Sequence, residues 1–128
     1  MTVPYTLTRG WGRGSEKLED SEEIDGDEPI ELSISIPGAS TDLALVLAID
    51  VSQIMGLFLK CSRDILLETN SGSAPGNTIS LKAGKATIWS TNCGLTNPFT
   101  VDITGLFVTL AAGEAATLEL RFALDATA

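Results

Sequence analysis

Apolar and polar residues alternate with period two along most of this chain, and that pattern suits only strands that lay one face on a core. Ile30, Leu32, Ile34 and Ile36 alternate with Glu31, Ser33 and Ser35 until Pro37-Gly38 ends the run. Leu57 to Ser62 and Ile65 to Thr69 read as two further strands. Ile79 and Leu81 open another, Ala83-Gly84 permits a turn, and Ala86 to Trp89 continues. Phe99, Val101 and Ile103 alternate with Thr100, Asp102 and Thr104, which predicts a strand there. Leu106 to Leu110 and Thr117 to Leu124 read as a closing hairpin around Ala111-Ala-Gly-Glu114. Leu43 to Ile49 is apolar at both parities, so that strand is expected to be covered on both sides. The turn-rich stretches 70–77 and 90–98 are loops. No window sustains a helical period over three turns. The expected class is all-β, a single-domain β-sandwich or jelly-roll-like barrel, with the sandwich over 29–128 and an N-terminal arm with an acidic loop over 1–28.

The arm is set apart by its charge. The chain has 128 residues and a formal net charge of −9. Nine of its acidic residues and a single lysine fall between Ser15 and Glu31. The remainder is close to neutral, and its basic residues are scattered, so a nucleic-acid partner is not expected. Val3, Tyr5 and Leu7 alternate with polar neighbours and read as an early strand. Gly10 to Gly14 is expected to be flexible, and 15–28 to be a mobile acidic loop or arm. An early strand on such a tether would reach a neighbouring subunit and complete its sheet. A local solvent-facing loop between two strands of one domain is the other reading.

Chemistry is sparse. The chain has no histidine, the commonest general base and zinc ligand. Cys61 and Cys93 therefore lack a His partner, and both are expected to be buried free thiols. Ser62-Arg63-Asp64 lacks a base to activate the serine. Gly10-Trp-Gly-Arg-Gly14 matches neither phosphate-binding glycine pattern. The carboxylates from Asp20 to Glu28 invite calcium but miss the EF-hand spacing, with Asp25 where glycine belongs. A solvated acidic segment is expected, with no metal, no cofactor and no enzymatic activity. No apolar run reaches the roughly 20 residues that span a bilayer, and no leader pattern opens the chain, so synthesis in a cytoplasm and no membrane partner are expected. Trp89 reads as core or core edge, whereas Trp11, among glycines, is the better contact residue.

From Leu57 the run continues through Lys60-Cys-Ser-Arg-Asp64 to Asn70, then Ser73-Ala-Pro-Gly-Asn-Thr-Ile-Ser-Leu-Lys-Ala-Gly84 and Trp89. It closes with Leu106 to Leu110 and Ala116 to Asp125. This wording resembles small virion proteins of tailed bacteriophages, and Thr6 to Trp11 does so more loosely. The resemblance implies a β-sandwich structural subunit in the virion, a capsid decoration (cement) protein in the first instance. It further implies a homotrimer bound to the major capsid protein or other virion proteins. The alternation of the early strand and the glycine setting of Trp11 make Val3, Tyr5, Leu7 and Trp11 the expected interface residues. A tail, adaptor or fibre-base protein, and a carbohydrate- or host-surface-binding module, are the alternatives.

Overall fold

In the computed structural model, residues 3 to 125 are described and form ten antiparallel strands. The first two, β1 (Val3–Arg13) and β2 (Glu16–Gly26), make a hairpin of their own. The remaining eight are β3 (Glu28–Ile36), β4 (Leu43–Leu45), β5 (Ile54–Cys61), β6 (Ile65–Thr69), β7 (Thr78–Leu81), β8 (Thr87–Ser90), β9 (Leu106–Leu110) and β10 (Ala116–Leu124). They form two packed four-stranded sheets, ordered β3-β10-β5-β8 and β4-β9-β6-β7. No strand pairing joins the two sheets among the described residues, so the closed-barrel option is corrected to a sandwich-like arrangement.

The pairings follow one rule. β3 pairs β10, β4 pairs β9, β5 pairs β8 and β6 pairs β7. Residues 28–124 thus form one very long hairpin with its tip at β6–β7, rolled so that β10 also meets β5 and β9 also meets β6. The alternation seen in the sequence supplies the core between the sheets. Leu57, Leu59 and Cys61 face Leu118, Leu120 and Phe122 of the same sheet, and Leu67, Leu106 and Val108 enter from the other. All are essentially inaccessible, and each such leucine stabilises the fold by about 1.5–3 kcal/mol relative to exposure. Phe99 and Phe122 meet with ring centroids 5.9 Å apart at a tilt of 51°.

Four strand expectations change. Leu106–Leu110 and Ala116–Leu124 are strands but not a hairpin, because the turn between them carries the chain from one sheet to the other. The strand at 43–49 shrinks to Leu43–Leu45, and Val46, Ala44 and Ala48 are exposed, so only one face is covered. Residues 99–104 form no strand: only Ile103 makes a bridge, to Ile49. The reason lies in two asparagines. Asn70 Nδ2 donates to the Asp102 carbonyl at 2.9 Å, and Asn70 Oδ1 accepts from the Thr104 amide at 2.7 Å. Asn77 Oδ1 accepts from the Thr100 amide at 3.0 Å and its amide group donates to Thr100 Oγ1 at 2.9 Å. Side chains thus occupy backbone groups that a ladder would otherwise use. The largest change concerns 15–28, where Glu16–Gly26 is a full strand and not a loop.

Asn70 also holds a left-handed backbone, φ 71°, which favours Asn or Gly over other residues. Asn70→Ala is expected to lower stability by about 2 kcal/mol, combining the lost bonds and the backbone penalty. Urea unfolding should show a lower midpoint at unchanged slope, and Asn70→Gly, which keeps the backbone geometry, should lose less.

Candidate functional site

Why does so acidic a segment pair as a strand? Its partner supplies what it lacks. In register, Arg9 lies opposite Asp20 and Arg13 opposite Glu16, and the Arg9–Asp20 ion pair spans 3.9 Å. Gly14, at φ 60°, takes the first central position of a two-residue turn, where a primed hairpin turn needs positive φ. Directly opposed residues share a face. One face of the ribbon therefore reads Tyr5/Ile24, Leu7/Glu22, Arg9/Asp20, Trp11/Leu18 and Arg13/Glu16. The other reads Pro4/Asp25, Thr6/Glu23, Thr8/Ser21, Gly10/Glu19 and Gly12/Lys17, without a large apolar side chain.

The base of the first face lies on the outer side of the β3-β10-β5-β8 sheet. Ile24 is buried, and Tyr5 and Leu7 are half-buried. The approach is set by Gly56 in β5: a Cβ there would lie 2.5 Å from Ile24 Cδ1 and 2.8 Å from Leu7 Cδ1. Farther along, Arg9 donates to the Ile88 carbonyl at 3.4 Å. Ser90 Oγ donates to Glu22 Oε1 at 2.5 Å, and the Asn92 amide donates to Glu22 Oε2 at 3.3 Å. The Asp27 amide donates to the Leu124 carbonyl at 2.9 Å, which anchors the far end. Since β8 is the edge strand, the hairpin crosses the sheet and continues past that edge. Beyond it the apolar face goes on without support: Trp11 and Leu18 are each 62% exposed. Between the ribbon and the sheet, toward β3, a cleft of about 210 Å³ is lined by Tyr5, Leu7, Phe58, Phe122, Glu31 and Arg121, among others. Burial, and then the charge of Glu31, raises the Tyr5 phenol above its ordinary value.

The interface residues expected from sequence divide. Tyr5 and Leu7 seat the ribbon on its own sheet, whereas Trp11 alone projects. The Val3 backbone pairs with Gly26, and its side chain lies outside the described residues. Leu18, Ile24 and Gly56 were missed. Leu18 and Ile24 stand at the same parity within the acidic run, a period-two signal hidden by the carboxylates around it. The stretch from Asp20 to Glu28 sends its carboxylates to alternate sides of an extended strand and does not gather them.

The other candidates are structural. Ser62 Oγ accepts from the Thr117 amide at 2.9 Å. Arg63 donates to the carbonyls of Ala111, Ala112 and Glu114, bracing that turn. Asp64 Oδ1 accepts from the Ala83 amide at 2.8 Å. Trp89 is half-buried and donates from Nε1 to the Leu95 carbonyl at 2.8 Å. Cys61 is buried, but Cys93 is only half-buried, a correction that follows from its place in the 90–98 loop. Burial acts to raise the Cys93 thiol, yet hydrogen bonds at the Ser90 and Leu95 backbone and the charge of Arg9 outweigh it and pull the thiol down.

On the outer side of the other sheet, Glu68 is buried beside Asp42, whose amide is held by Thr109 Oγ1 at 3.1 Å. Burial, and then the hydrogen bond and charge of Asp42, raises the Glu68 carboxyl.

No known protein family, curated protein or solved structure matches this chain.

Two measurements follow. Gly56→Leu should lift the ribbon from the sheet, so hydrogen exchange over 4–9 and 20–25 quickens by at least about tenfold while protection in β5 and β10 persists. The raised Glu68 carboxyl keeps its proton in the folded state through a window where the unfolded chain has lost it. Stability therefore falls as pH rises through that window. Glu68→Gln should melt higher than the parent at pH 7, with the difference shrinking toward pH 4.

Proposed function

We propose that this chain is a structural subunit of a tailed-phage virion, a capsid decoration protein that works by assembly. The observation that carries the reading is the ribbon that overhangs β8 with Trp11 and Leu18 exposed side by side. A cross-strand apolar pair on a paired ribbon, flanked by charge, has the make-up of an interface anchor with a polar rim. Tethering that pair to a packed sheet lowers the ordering cost of contact.

The topology adds support. We read the rolled hairpin of β3 to β10 as a jelly roll, an architecture that viral capsid domains share with lectins and cupins. A fold of this kind carries no function by itself, so the surface has to decide. That surface favours contact with protein. The basic residues of the body are scattered and form no cluster to hold a phosphate backbone, whereas the ribbon presents an exposed apolar pair. The phage-like wording from Leu57 onward falls within the rolled body, and that of Thr6 to Trp11 on the overhanging strand.

The test is co-sedimentation with head shells of the encoding phage. The chain should pellet with them, and the double variant Trp11→Ala, Leu18→Ala should stay in the supernatant while keeping the parent's melting temperature within a few degrees. Binding to tails in place of heads would move the chain to an adaptor or fibre-base position. Saturable binding to a glycan, lost with Trp11→Ala, would put the carbohydrate-binding reading in its place.

A further inference from the structure

The overhanging tip and the cleft beside Phe58 belong to one contact. The geometry points to the Trp11–Leu18 tip of one copy of this chain inserting into the cleft between ribbon and sheet of the next copy. This rests on the assembly reading above only in requiring that the chain self-associate.

Size selects the occupant first. At about 210 Å³ the cleft is smaller than the roughly 300–1,000 Å³ usual for small-molecule sites, and it suits one large side chain. Its lining includes the outward-facing Tyr5, Leu7, Ile24 and Phe58, so that side chain should be apolar or aromatic. Among the described residues, Trp11 is the only exposed large aromatic side chain.

Charge agrees. Arg121 and Glu31, opposite each other across β10 and β3, both line the cleft. On the same face the tip carries one further opposed pair beyond Trp11 and Leu18, namely Arg13 and Glu16. Tip and cleft each present one acid and one base, so an inserted tip can pair Arg13 with Glu31 and Glu16 with Arg121. Stacking two tips on each other about a two-fold axis across the strands would instead set Arg9 against Arg13 and Asp20 against Glu16.

Geometry excludes a contact within one chain. The ribbon leads away from the cleft, whose lining includes Glu31 of β3, and passes β8 at the opposite edge of the same sheet. A tip from one copy in the cleft of another is a heterologous contact, and repeated around a rotation axis it closes a ring. Truncating such an anchor commonly weakens association by roughly tenfold or more.

The test uses that directionality. Light scattering on the parent chain should give the mass of a closed oligomer. Trp11→Ala destroys the tip and leaves the cleft, whereas Phe58→Ser damages the cleft and leaves the tip, so each alone should be monomeric. Mixed in equal amounts, the two should form a one-to-one dimer and nothing larger, because only one good tip–cleft pair remains. Circular dichroism checks that both variants are folded. If Phe58→Ser does not fold, Arg13→Glu and Glu31→Arg replace the cross: each singly should weaken association by roughly twofold to fivefold, and together they should restore it. A parent chain that stays monomeric, a mixture that stays monomeric, or a charge pair that fails to restore the parent mass would overturn the contact. A monomer that still pellets with head shells would overturn it and leave the virion reading standing.

Discussion

Everything in the body of this molecule depends on β10 finding its place between β3 and β5. It is the last strand among the described residues, and it makes the central ladder of its sheet. Until it arrives, β3 has no partner in that sheet, and β5 has only the short pairing with β8. Its inward residues, Leu118, Leu120, Phe122 and Leu124, are also the middle of the core. Contacts of such sequence separation are entropically expensive to close and make folding slow compared with a helical chain of this size. The offset is one-sided burial repeated along nine residues, which holds the strand in a single register: a slip of one would turn four large apolar side chains out to water.

That register is why much of the body was legible in the sequence. Ile30 to Ile36, Leu57 to Cys61 and Leu118 to Leu124 state their buried faces residue by residue, and those are the strands found. What period two does not encode is which strand lies beside which. Leu106–Leu110 and Ala116–Leu124 follow each other across a short turn, as a hairpin would, yet Ala111 to Ala115 leads from one sheet to the other. Sequence proximity favours local pairing, and only the competition among all eight strands for the two core faces settles the outcome. Residues 99–104 mislead for a different cause. Their alternation is real, and Phe99 and Ile103 are buried, but Asn70 and Asn77 take the backbone groups.

The candidate site was legible in part. Trp11 stood out because glycines surround it, and it does project. The acidic stretch conceals a strand, because Leu18 and Ile24 are too few and too far apart to register against the acids around them. Gly56 was invisible for a physical reason of its own. A glycine inside an apolar strand signals close approach of another backbone or side chain, but the approaching group lies more than thirty residues earlier and leaves no local trace.

Negative charge is shared by both parts of the molecule: residues 3–26 carry six acids and three bases, and residues 27–128 carry eleven acids and five bases. Two free molecules therefore approach from any side against a repulsion that reaches about 10 Å in 0.1 M salt and about 30 Å in 0.01 M salt. The net charge acts as a colloidal spacer that disfavours random encounters between copies, most strongly when the solution is dilute in ions. Ionic strength is then a rate control on association, and the apolar tip acts only at distances shorter than that repulsion.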